Sequence, residues 1–174
     1  MTSFSLPEFA KLSPRIARAE RELAQMEQYY ASHSAEVADG DWGAVAAVSS
    51  GIHNVYNGIE DILLSIARDV DDYVPTGGSA HQDILDQMAA EITGTRPALL
   101  DLELYDALFE LKGFRHLVRH KYGFDLKPDK VATNLELLKS AFPAFIDAVI
   151  RLERAMTSGD DHDGGNGETF SAGR

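Results

Sequence analysis

Residues 41–70, DWGAVAAVSSGIHNVYNGIEDILLSIARDV, decide the fold. Trp42, Val45, Val48, Ile52, Val55, Ile59, Ile62, Leu63, Ile66 and Val70 recur at steps of three and four, which is a helical stripe. The spacing predicts one helix from Asp41 to Val70, about 28 residues and roughly 42 Å at 1.5 Å rise per residue. A helix of that length calls for an elongated bundle. Gly51 and Gly58 lie two turns apart on it and allow a second helix to approach closely, at about 1 kcal/mol each in helix propensity.

Working outward, the same periodicity continues on both sides. Ile16, Leu23, Met26 and Tyr30 predict a helix from Ser13 to about Val37, with Ser13 as N-cap and Pro14 at the first helical position. Gly40-Asp41 separates it from the long helix. Beyond the loop Pro75-Thr76-Gly77-Gly78-Ser79, a shorter helix is expected from Ser79 to Ile92, with Ile84, Leu85, Met88 and Ile92 inward. Pro97 suits the start of a fourth helix running towards Tyr122, with Leu100, Leu104, Leu108, Leu111, Phe114, Leu117 and Val118 on its apolar face. A last helix is expected from Pro128 to Met156, kinked or broken at Pro143. Strand-like alternation, internal repeats and a Gly-rich phosphate loop are absent from the sequence. The fold class read from the pattern is all-α, an antiparallel bundle of about five helices over residues 10–156. Residues 157–174, Gly-, Asp- and Ser-rich with Phe170 alone among aromatics, read as a disordered acidic tail.

The chain has 174 residues, 44% of them hydrophobic, which fits one domain with a real core. Its 16 Lys and Arg against 28 Asp and Glu give a net charge of −12. That balance excludes general nucleic-acid coating and polybasic membrane binding, because both need positive charge. The absence of cysteine excludes disulfide scaffolds and thiol catalysis. No signal-peptide pattern opens the chain, and no run approaches the roughly 18 apolar residues of a membrane span. The expectation is a soluble, cytoplasmic protein.

One stretch departs from the acidic average. Residues 111–130 hold Lys112, Arg115, Arg119, Lys121, Lys127 and Lys130 against Asp125 and Asp129, a local charge of +4. Cations at a helix C-terminus explain part of this without any function. His116 and His120 stand four apart, a spacing able to hold a metal, but Arg115, Arg119 and Lys121 would repel a divalent cation. A phosphate-directed site suits the residue types better. Arginine holds a phosphate bidentately and stabilises charge developing on it, and histidine exchanges protons near neutral pH. Arg, His and Tyr together therefore suit metal-free RNA cleavage. Arg115 and His120 are five apart, about 140° around an ideal helix, so either the helix end loosens or a second chain completes the site.

Arg115-x4-His120-x-Tyr122, near a helix end in an all-helical chain, resembles the Arg-x4-His-x-Tyr motif of HepT-type toxins in the HEPN superfamily. The long helix with Tyr56-Asn57-Gly58-Ile59-Glu60-Asp61 is similar to the second helix of such proteins. The resemblance covers about residues 10–156. It implies a metal-independent endoribonuclease toxin, cofactor-free and homodimeric, with Arg115 and His120 as the catalytic pair and RNA, in some members tRNA, as substrate. It further implies a type VII-like toxin–antitoxin pair. The partner would be a minimal nucleotidyltransferase antitoxin of the MntA type that transfers AMP to Tyr122. Glu60 is a candidate for orienting Arg115, with His116 and Arg119 in support; His116 stands where family members often carry Asn or Asp. The alternatives are a non-catalytic HEPN-like module that binds the nucleotidyltransferase, and a metal-binding bundle through His116 and His120. His33, His53, His81 and His162 read as incidental.

Overall fold

Asp41 ends one helix and starts the next. The amides of Gly40 and Asp41 donate to the carbonyls of Val37 and Glu36, at 3.1 and 2.8 Å. Gly40 takes the left-handed φ of +78° that this helix stop requires. Asp41 Oδ1 then accepts from the Ala44 amide at 2.9 Å and caps the following helix. This computed structural model describes residues 4–120 and 126–160, with no side-chain description for His120, Gly159 and Asp160. The helices are α1 (Pro7–Ala10), α2 (Ser13–Ala38), α3 (Trp42–Asp69), α4 (Ala80–Ala89), α5 (Leu102–His120) and α6 (Pro128–Asp160). The five longer ones form an all-α bundle, and α1 adds one turn.

The bundle is organised around α3, which packs on every other helix. Its buried face is wide: Val48, Ile52, Val55, Ile59, Ile62 and Ile66 are all 2% exposed or less. The two glycines work as spacers against α2. A Cβ on Gly51 would lie 2.6 Å from Met26 Sδ, and one on Gly58 would lie 3.1 Å from Ala19 Cβ. The missing side chains thus set how closely α2 and α3 approach.

Several boundaries differ from the sequence reading. Ser13 lies inside α2, with Leu12 rather than Ser13 at its N-cap. The Ser79–Ile92 helix stops at Ala89, because residues 92–96 close a tight turn at Gly94, whose φ is +78°. Ile92 is therefore half-buried and paired with Arg96 in an isolated bridge. Pro97 does not start α5; Asp101 does, its Oδ1 accepting from the Leu104 amide at 2.9 Å. Trp42, at 57% exposure, and Leu117 do not belong to the buried stripes. Leu117 stands about 120° around the helix from Leu111, and it is Phe114 that faces the core. Helix α6 passes through Pro143 unbroken. Pro143 is on the solvent side, where water can satisfy the carbonyl its ring leaves unbonded, while Phe142 and Phe145 anchor both flanks in the core. The helix irregularity lies instead in α2 at His33, with φ −129° and ψ 23°.

Both ends of the expected domain also shift. Phe9 and Leu12 are fully buried, and buried Glu153 of α6 accepts from the amides of Ser5 and Leu6, so the core begins before residue 10. Residues 157–160 continue α6 rather than beginning the tail, and the rest of the expected tail lies outside the described residues.

The α4 helix is held by a buried ion pair. Arg96 Nε and Nη2 reach Asp71 Oδ1 and Oδ2 at 2.6 and 2.8 Å. Its remaining donors go to the carbonyls of Ala90, Pro97 and Gln87. All five guanidinium N–H groups are thereby used, as a charge with 0% side-chain exposure demands. The loops at both ends of α4 are tied together by this one side chain.

The spacing role of glycine is testable by comparison. Gly51→Ala forces Met26 out of place and costs more than helix propensity returns, so a net loss of about 1 kcal/mol is expected. Gly113, with nothing within 4 Å of its Cβ position, should gain up to about 1 kcal/mol as alanine. Urea unfolding of the two variants measures both; equal shifts in the same direction would refute the spacer role.

Candidate functional site

Three polar residues interrupt the apolar helix α3 on one side. His53, Asn57 and Glu60 follow at steps of four and three, so they line up along one face. Helix α5 lays Arg115 across them, and the first turn of α4 adds His81. Arg115 Nε donates to Asn57 Oδ1 at 2.6 Å. Its Nη2 stands 3.5 Å from Glu60 Oε2, and its Nη1 lies 3.3 Å from His81 Nε2. His81 Nδ1 in turn reaches Glu60 Oε1 at 2.7 Å. Glu60 is thus a buried carboxylate, 7% exposed at the side chain, shared between an arginine and an imidazole. Two partners are what make its burial tolerable.

The partners also fix the protons. A carboxylate only accepts and a guanidinium only donates, so His81 carries its proton on Nδ1 and offers the Nε2 lone pair to Arg115. Asn57 accepts from Arg115 through Oδ1 and so turns Nδ2 to His53 Nε2, at 2.9 Å. His53 then holds its proton on Nδ1, which is buried without a hydrogen-bond partner among the described residues. Burial, and then the charges of Arg115 and Arg119, push the His53 pKa below its ordinary value. One turn along, burial and then the Glu60 charge push the Tyr56 hydroxyl upward, so it stays protonated.

Of the residues singled out in the sequence, Arg115 and Glu60 are brought together. Arg119 and His116 are exposed on α5. His120 is the last residue of α5, its side chain undescribed, and Tyr122 lies outside the described residues. Lys112 is drawn to α4, where it donates to Gln82 Oε1, and its ammonium sits 4.2 Å from the Phe109 ring centroid. Asn57, together with His53 and His81, which read as incidental in the sequence, joins Arg115 and Glu60 in one hydrogen-bonded cluster. The four-and-three spacing of His53, Asn57 and Glu60 was a usable signal. For His81 there was none, since its partners are 21 and 34 residues away. His33 is elsewhere, stacked on Tyr29 at 4.1 Å, and His162 lies outside the described residues.

A cavity of about 640 Å³ lies between α5 and α6, lined by Asp101, Glu103, Asp106, Glu110 and Asp147 against Arg151. Its carboxylates repel phosphate, so it is no rival for an anionic ligand. No helix among the described residues is long and apolar enough to cross a membrane.

A family model described as a HepT-like protein matches residues 47–156. The chain belongs to the HepT-like family. The match contains every residue of the Arg115 cluster and the Arg115-x4-His120-x-Tyr122 spacing; α1 and α2 precede it. No curated protein and no solved structure matches the chain. Within this HepT-like bundle, the Arg115 cluster joins α3, α4 and α5 through side chains alone.

The lowered pKa of His53 couples the cluster to stability. The unfolded chain binds this proton near pH 6.5, before the folded chain does. Stability from this group is therefore present above about pH 6.5 and declines as pH falls below it. His53→Gln should remove that part of the pH dependence. Urea unfolding at pH 8 and pH 5.5 is the check: the wild-type chain should lose more stability on acidification than the variant. Parallel losses would exclude the coupling.

Proposed function

We propose that this HepT-like protein is a metal-independent endoribonuclease toxin in which Arg115 holds the scissile phosphate and His120 moves a proton. The observation that carries the reading is the way Arg115 is held. Asn57 and Glu60 fix its orientation from α3, and a fixed guanidinium loses little freedom when it meets a phosphate. Arg119 and Lys112 on the same helix add positive charge near it, and the acidic remainder of the chain limits RNA binding elsewhere.

Family resemblance supplies the rest of the proposal. Two copies would form the working toxin. Leu102, Phe109 and Leu117 are exposed along α5 at steps of seven and eight, and an apolar stripe there suits contact with a second copy. A minimal nucleotidyltransferase antitoxin would place AMP on Tyr122, two residues from His120, where a bulky anion excludes RNA by volume and by charge.

The second reading, a non-catalytic module that binds the nucleotidyltransferase, draws on one observation. The Arg115 side chain is 12% exposed and already shared with Glu60, which leaves a phosphate little of it. The two readings separate in one assay. Purified protein is incubated with bulk RNA in EDTA. A ribonuclease cleaves, and Arg115→Ala and His120→Ala each lower the rate by about 10²–10⁴-fold. Cleavage that survives both substitutions, or no cleavage at all, removes the assignment. After co-expression with the nucleotidyltransferase, mass spectrometry should find AMP on the Tyr122 peptide; an unmodified peptide with a neutralised toxin would refute that mode of control.

A further inference from the structure

We propose that His81 is a second catalytic histidine of this site, the base that takes the proton of the attacking 2′-hydroxyl. The inference rests on the ribonuclease reading and deepens it.

Glu60 Oε1 accepts from His81 Nδ1 at 2.7 Å, so the Nε2 lone pair points away from the carboxylate. A buried carboxylate behind an imidazole orients the ring and stabilises the cation it becomes on accepting a proton. Nε2 is also on the side where substrate would arrive, because Arg115 Nη1 is its neighbour at 3.3 Å. His81 remains 45% exposed at the side chain, so an RNA can reach it. The dyad therefore has the three features a general base needs: a fixed tautomer, a supporting anion and access.

The 3.3 Å contact also explains how the resting site is kept and then released. In the free protein the Nε2 lone pair is occupied by Arg115 through a long, weak bond. A phosphate oxygen accepts from the guanidinium far more strongly than a neutral imidazole does. Binding of RNA thus draws Nη1 onto the phosphate and frees Nε2 beside it. The charged groups facing His81 are Glu60 from α3 and Arg115 from α5, with Lys112 on α5 bonded to the adjacent Gln82.

The step balances without a cofactor. Nε2 takes the 2′-hydroxyl proton as the 2′-oxygen forms its bond to phosphorus. The bond from phosphorus to the 5′-oxygen breaks, and that oxygen leaves with a proton from His120. The products are a 2′,3′-cyclic phosphate and a 5′-hydroxyl. His81 then returns its proton to solvent, and His120 regains one.

The test is single-turnover cleavage of bulk tRNA and bulk RNA by the full chain in EDTA across pH. It compares wild type, His81→Gln and His81→Ala, with folding checked by thermal melting. Gln keeps hydrogen-bonding groups towards Glu60 and Arg115 but does not titrate. Both variants should lose about 10²–10⁴-fold in rate at saturating RNA with KM little changed. In His81→Gln the limb of the profile that rises with pH should flatten, and added imidazole should restore part of the rate of His81→Ala. Wild-type cleavage matched by His81→Gln with the same pH profile overturns this inference and leaves the ribonuclease reading standing. A lower rate with unchanged pH profile and no imidazole rescue assigns His81 to positioning and also overturns it. No cleavage by the wild-type chain overturns both.

Discussion

The buried carboxylate of Glu60 is the group on which the candidate site depends. It sits on α3, the helix that touches all the others, and is satisfied from two directions by His81 and Arg115. Without both partners it would be an uncompensated charge in the core, a state that costs several kcal/mol. The need to compensate Glu60 therefore aligns an arginine and an imidazole beside it. The stability of the bundle and the geometry of the candidate site share one constraint, because the charge can be buried only if both partner side chains are in position.

The rest of the fold serves that alignment at a distance. Gly51 and Gly58 let α2 lie close on the side of α3 away from the core helices α4 and α5. Arg96, buried with Asp71 and bonded to three carbonyls, fixes the short helix α4 between its two loops. A ten-residue helix has little stability of its own. His81 on its first turn is held at Glu60 because α4 is pinned from both ends, by the Arg96–Asp71 pair and by Ile84, Leu85 and Met88 in the core. Asn57 completes the arrangement by joining Arg115 to His53, so the cluster is a connected polar network inside an apolar helix face.

The apolar stripes made the helices legible, since the steps of three and four in residues 41–70 admit no other regular structure. The existence of Arg115 as a candidate was also legible, from local charge and from the motif spacing. What the sequence did not show was every feature that depends on contacts across the chain. Pro97 is a good helix starter by local rules, but Arg96 and the pairing at Ile92 hold residues 92–100 out of a helix, and Asp101 becomes the cap. Pro143 looked like a break, yet its place on the solvent side lets α6 continue. His81 looked incidental because nothing in its neighbours along the chain reveals a carboxylate 21 residues away. Polar residues spaced along one face of an otherwise buried helix, as His53, Asn57 and Glu60 are, give the clearest sequence sign of such a network.

Glu60 fixes the imidazole of His81 and presents its Nε2 to Arg115. Nitrogen-15 NMR of the histidine side chains tests it most directly, because the two ring nitrogens of a neutral imidazole report which one holds the proton. At neutral pH the Nδ1–H tautomer is expected for His81, since Glu60 accepts at Nδ1 and Arg115 donates at Nε2. An Nε2–H tautomer in the wild-type chain would contradict it.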